Sequence, residues 1–195
     1  MTLFAAFLAS AAFEPIGLWF LAIFGFALFF RKLADGDRPV LHSFIFGFTL
    51  NAIVLHWSGK YVGVLPWLLL ALLQSLFYLP IGLIYRRTSS LWISGLVLLL
   101  MEELRARFPF GGFGWTRIAF SQVESPALPI VAIGGVLALS AFTVSIAVLF
   151  ARSGTKSFIA IALLFIAALL LPNNPQGSGS VRLLAVQGNT PEVGL

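Results

Sequence analysis

The stretch MEELRARFPFGGFGWTRIAFSQVESP (101–126) holds the densest group of residues able to do chemistry in this sequence. Glu102, Glu103 and Arg105 close an apolar run, an aromatic and glycine-rich stretch from Phe108 to Trp115 follows, and Arg117 and Gln122 come after it. An ionisable group costs about 2.5–3.5 kcal/mol at the centre of a membrane helix, so such groups pair or face water. Glu102 and Arg105, spaced i, i+3, share a helix face and are expected to pair with each other and steady the loop. Gly111, Gly112 and Gly114 permit backbone shapes that a plain membrane anchor does not need. Trp115 joins a large apolar ring to a polar N–H and suits the headgroup level of a bilayer. Trp115, Phe113, Gly112 and Gln122 are therefore the expected lipid- or substrate-facing residues. A plainer alternative uses the same residues: charges that mark a membrane surface beside an aromatic belt.

Other chemistries find little footing. With no cysteine among the 195 residues there is no disulfide framework, thiolate metal site or cysteine nucleophile. His42 and His56 have no second histidine or acidic ligand at a metal-binding spacing, and with Trp57 and Trp67 they read as packing and interface anchors. Ser43, Ser58, Ser121 and Ser125 lack a histidine-plus-acid context, which leaves a serine hydrolase unsupported. No metal and no cofactor is expected.

The elements that must position the 101–126 stretch are apolar blocks. Hydrophobic residues make up 59% of the chain and charged ones only 10%, against about 25% charged in soluble domains, and the mean hydropathy is +1.01. A soluble fold has no means of covering that surface, so lipid is the expected solvent, and about 20 helical residues are needed per crossing. The blocks run at about 2–13, 16–30, 40–58, 64–85, 90–106, 127–151 and 156–172, which predicts an all-α, polytopic transmembrane bundle of about seven segments over residues 1–172. Glu14-Pro15 and Gly17 split the first block. NNPQGSGS (173–180) reads as a polar linker, and VRLLAVQGNTP (181–191), within 181–195, as a strand that opens a further domain. The opening MTLFAAFLASAAF has no basic residue and runs into more apolar sequence, unlike a cleaved signal peptide, so it is expected to persist in the mature protein.

The net charge of +5 is scattered in pairs between blocks, which reads as a topology signal and not as a nucleic-acid surface. One alternate set of loops carries Arg31, Lys32, Arg38, Arg86, Arg87, Arg152 and Lys156; the other carries Lys60, Arg105, Arg107, Arg117 and Arg182. Cytoplasmic loops hold the excess of lysine and arginine. The first set and the amino terminus are thus expected inside, and the 101–126 loop and carboxyl tail outside.

In order along the chain, AFEPIGLWFLA (12–22), an apolar helix ending in Trp57, Glu102-x-Leu104-Arg105, GFGWTRIAFSQ (112–122) and VQGNTP (186–191) resemble apolipoprotein N-acyltransferases, whose corresponding stretches read AFxPxxxWxLA, ExLR, GFPWxxxGYSQ and VQGNxPQ. The chain departs from that pattern at Gly114 for proline, Ala119 for glycine and Phe120 for tyrosine. The resemblance implies a bacterial inner-membrane bundle carrying a nitrilase-like α/β domain on its outer face. That domain transfers an acyl chain from membrane phospholipid, through a cysteine thioester, to the amino-terminal lipidated cysteine of a lipoprotein. The family's catalytic glutamate, lysine and cysteine follow the VQGN strand and have no counterpart in these residues. The chain alone is therefore expected to be inactive and to act through a complete enzyme or a separate catalytic polypeptide. The alternative is a non-catalytic membrane scaffold or lipid-binding partner, for instance of a polyprenol-phosphate mannosyltransferase.

Overall fold

The structure, a computed structural model, describes residues 1–171 and Leu184. Among these residues every regular element is helical: α1 (Thr2–Ser10), α2 (Phe20–Ala34), α3 (Pro39–Val54), α4 (Gly59–Val62), α5 (Val64–Leu76), α6 (Leu79–Thr88), α7 (Leu91–Arg105), α8 (Val131–Arg152) and α9 (Thr155–Leu169). Apart from Leu184, the expected linker and strand lie outside the described residues.

The first block is split as its proline and glycine dictate, but by a longer link than expected. The α1 helix stops at Ser10, Gly17 takes a left-handed φ of 68°, and Leu18 N–H returns to the Ala11 carbonyl at 3.1 Å. Consequently α2 starts at Phe20, not residue 16. Pro39 sits in the first turn of α3, where a missing N–H costs nothing.

Among the described residues, two helical stretches are long and apolar enough to cross a membrane, Val64–Thr88 (α5 with α6) and Leu128–Arg152 (with α8); Pro39–Val54 with His56–Val62, bent by 58°, makes a third if the pair is one span. The nine residues of α1 rise only about 14 Å, well short of a hydrocarbon core of about 30 Å. Helix length alone thus identifies fewer crossings than the seven blocks.

Side chains are distributed as lipid solvation requires. Along α7, Trp92, Leu96, Leu100 and Leu104 recur every four residues on the exposed face, while Ser94, Glu102 and Arg105 are buried. Inside, Phe26, Phe29, Phe30 and Phe46 form the centre, with Phe29 and Phe46 stacked at 4.3 Å. The α1 helix reaches this centre because Ala5 and Ala9 meet Gly25 of α2: a Cβ there would stand 2.5 Å from the Ala9 nitrogen.

Long-range hydrogen bonds define two ends. At one, Arg31 donates to Ser153 Oγ at 3.0 Å and Thr2 Oγ1 lies 2.9 Å from His42 Nδ1. This gathers the amino terminus, the α2–α3 loop and the α8–α9 turn. At the other end lie the α1–α2 link and the 101–126 loop, joined by Gln122 Nε2 donating to the Trp19 carbonyl at 3.0 Å.

Candidate functional site

The α7 helix carries Glu102 and Arg105 in its last turn, and both are 2% exposed. They do not pair with each other, contrary to the expectation from their spacing. The ion pairs among the described residues belong to Glu103, which meets Arg117 at 2.8 Å and Arg107 at 3.2 Å. The reason is that the buried pair diverges. The Arg105 guanidinium donates to Gln74 Oε1 of α5 at 3.3 Å, and also to Thr116 Oγ1 and the Thr116 carbonyl. Thr116 Oγ1 in turn donates to Asn51 Oδ1 of α3 at 2.9 Å, and Asn51 Nδ2 to the Gly47 carbonyl at 2.8 Å. On the other side Glu102 Oε2 accepts the Ile118 N–H at 2.8 Å, and Oε1 accepts Ser140 Oγ of α8, whose oxygen receives the Ala119 N–H at 3.1 Å.

Two ionisable groups buried under the loop are tolerated because each makes several hydrogen bonds, Glu102 to Ile118 N–H and Ser140, Arg105 to Gln74 and Thr116. Together they clamp the loop between Thr116 and Ala119 to α3, α5, α7 and α8. The α7 end of the loop is fixed as well: Phe113 N–H donates to the Arg105 carbonyl at 2.7 Å. Gly112 has φ +89°, and a Cβ on it would stand 2.1 Å from the Ala106 carbonyl oxygen, so only glycine fits the turn.

Above the clamp the loop presents apolar rings. Trp115 is 62% exposed and its ring lies 5.4 Å from that of Trp57, at the end of α3. Phe108, Phe110 and Phe120 of the same loop are also exposed. A cavity of about 480 Å³ opens between Ala106, Gly114, Trp115, Arg117 and Phe120. It sets the Arg117–Glu103 ion pair against an aromatic rim, which suits a molecule having a polar head and an apolar body.

Of the four residues expected to face lipid or substrate, Trp115 alone lines this cavity. Phe113 is half-buried, and Gly112 shapes the turn. Gln122 is fully buried; its amide tethers the loop to Trp19 and does not face outward. Asn51, Gln74, Thr116 and Ser140 belong to the clamp and were not singled out from the sequence. A lone amide in the apolar helices α3 and α5 was the available signal, since lipid offers it no partner. No cluster of histidine, aspartate and glutamate able to hold a metal occurs among the described residues.

Residues 5–149 match the model of the apolipoprotein N-acyltransferase N-terminal domain. The chain belongs to this family. The matched residues carry most of α1, all of α2 to α7, nearly all of α8 and the whole 101–126 loop. Clamp and aromatic cavity are thus built inside the apolipoprotein N-acyltransferase N-terminal domain of this membrane protein.

Proposed function

We propose that this chain supplies the membrane-embedded part of an apolipoprotein N-acyltransferase, which moves an acyl chain from phospholipid to the amino-terminal lipidated cysteine of lipoproteins in the bacterial inner membrane. The family match over residues 5–149 carries the reading. In this reading the seven membrane segments are α1 continued by its link to α2, α2, α3, α5 with α6, α7, α8 and α9. The end with Arg31, Arg38, Arg86 and Arg152 faces the cytoplasm, and the Trp115 loop faces outward. The cavity beside Trp115 and Arg117 receives the headgroup region of a lipid substrate, and the clamp below holds the loop at a fixed height over the bilayer.

The thioester route needs a thiolate, and these 195 residues contain no cysteine. The acylating group therefore comes from a nitrilase-like catalytic domain on the same or another chain. The test is to fuse residues 1–171 to the catalytic domain of a complete family member and to assay N-acylation of a diacylated lipopeptide with phospholipid as donor. The fusion is expected to be active and the 195-residue chain alone inactive. Trp115→Ala in the fusion should lower activity at least tenfold, while Trp92→Ala, at the far end of α7, leaves it unchanged. Product from the chain alone would refute the division of labour, and equal activity of the two tryptophan variants would reduce the loop to an anchor.

A further inference from the structure

A separate cavity lies at the opposite end of the bundle from Trp115. It measures about 780 Å³ and opens between the α2–α3 loop, the start of α3 and the end of α6, with Arg38 and Arg86 on its polar side and Leu41, Phe44 and Leu79 on its apolar side. A second cavity of about 310 Å³ continues from it along α3. This one is wholly apolar, lined by Phe44, Phe48, Leu65, Leu68, Leu69 and Leu72, and Phe44 is common to both. The two make one groove with a basic mouth and a hydrocarbon floor.

The mouth is built for an anion. Neither Arg38 nor Arg86 makes an ion pair or side-chain hydrogen bond to another described residue, although Asp35 and Asp37 lie in the adjoining loop. Arg38 caps α3 with a left-handed φ of 52°, and no side chain caps that helix start. The amides of its first turn, with the positive end of the helix dipole, thus add to the two guanidinium groups.

The floor has the length of one acyl chain in one leaflet. From Arg38 to Phe48 the helix rises about 15 Å, half of a hydrocarbon core of about 30 Å. The wall across from Phe44 and Phe48 is made of α5 leucines, and Leu65 and Leu69 are more than half exposed, so the groove is open sideways to lipid.

We propose that this groove binds one anionic phospholipid from the leaflet on the basic side of the bundle, with its phosphate against Arg38 and Arg86 and one acyl chain laid past Phe44 and Phe48. The site is separate from the Trp115 cavity, at the other end of the molecule, and its occupant is a structural or regulatory lipid and not the acyl donor. The charge selects anionic over zwitterionic headgroups, because surface arginines are drawn to anionic lipid.

Native mass spectrometry of the full chain released from detergent tests this, with dioleoylphosphatidylglycerol, dioleoylphosphatidylcholine and glycerol phosphate as separate probes. The expected result is one retained phosphatidylglycerol, about tenfold more occupied than phosphatidylcholine at equal concentration, and no retained glycerol phosphate. Arg38→Gln/Arg86→Gln should bring phosphatidylglycerol down to the phosphatidylcholine level. Arg87→Gln, next in sequence but outside the cavity, should leave the tenfold preference intact. Both cavity arginines are exposed, so the double variant keeps its fold, which circular dichroism checks. Leu68→Trp, which fills the floor, should lower retention of phosphatidylglycerol with the mouth unchanged. Equal retention of the two lipids, or equal losses from Arg87→Gln and Arg86→Gln, would overturn the proposal in favour of diffuse surface charge. Retention of glycerol phosphate as strong as that of the lipid would overturn it in favour of a site for soluble anions.

Discussion

Three residues apart on one helix, Glu102 and Arg105 each serve a different part of the same loop. A direct ion pair would have satisfied the charges and left the loop free; the observed arrangement spends both on backbone and hydroxyl groups of Thr116, Ile118 and Ser140. Arg105 needs its fork, because Gln74 and both oxygens of Thr116 are reached at once. Lysine offers a compact point charge in place of that planar fork. Arg105→Lys is therefore expected to cost about 1–3 kcal/mol, the loss of hydrogen bonds from a charged donor to buried acceptors. Arg107→Gln removes only an i,i+4 pair whose arginine side chain is 76% exposed, which is worth about 0.3–0.5 kcal/mol. Thermal unfolding in detergent should show a clearly lower midpoint for Arg105→Lys than for Arg107→Gln; equal midpoints would show that the clamp contributes no stability.

At the scale of elements, small residues decide where helices meet. Gly25 lets α2 approach the α1 backbone, and Gly25→Ala would force a Cβ to within 2.5 Å of the Ala9 nitrogen and 2.7 Å of the Ala5 oxygen. Such overpacking costs about 1–3 kcal/mol. Gly154→Ala meets no atom within 4 Å at an ordinary φ of −149° and should be near neutral. Membrane abundance and melting of the two variants read the difference, and a neutral Gly25→Ala would mean that α1 packs elsewhere. The sequence announced the break between α1 and α2 through Glu14-Pro15 and Gly17, and the charged end of α7 through Glu102 and Arg105. It did not announce which helix Arg105 would reach, since Gln74 and Asn51 lie on other helices and their meeting depends on how α3 and α5 cross. Nor did it disclose the interruption in α8, where Gly134 and Gly135 leave helical φ/ψ and Gly135 has φ 66°, because glycines are common in membrane helices.

For the whole molecule the open question is which end faces the cytoplasm, and two independent observations bear on it. Arg31, Lys32, Arg38, Arg86, Arg87, Arg152 and Lys156 cluster in the loops between blocks, and the Arg31–Ser153 and Thr2–His42 contacts draw two of those loops and the amino terminus to one end. Basic loops stay inside, so that end is expected in the cytoplasm and the Phe110–Trp115 tip on the far side. The absence of cysteine gives a clean background for labelling. Asp35→Cys and Gly154→Cys should resist a membrane-impermeant maleimide in intact cells and react once the cells are opened. Phe110→Cys, at a fully exposed position, should react in intact cells. Phe110 also belongs to the loop that Gln122 ties to Trp19, so its side is the side of the whole aromatic end. Labelling of Gly154→Cys in intact cells, or protection of Phe110→Cys, would invert the bundle and put the Trp115 cavity in the wrong compartment for the proposed function.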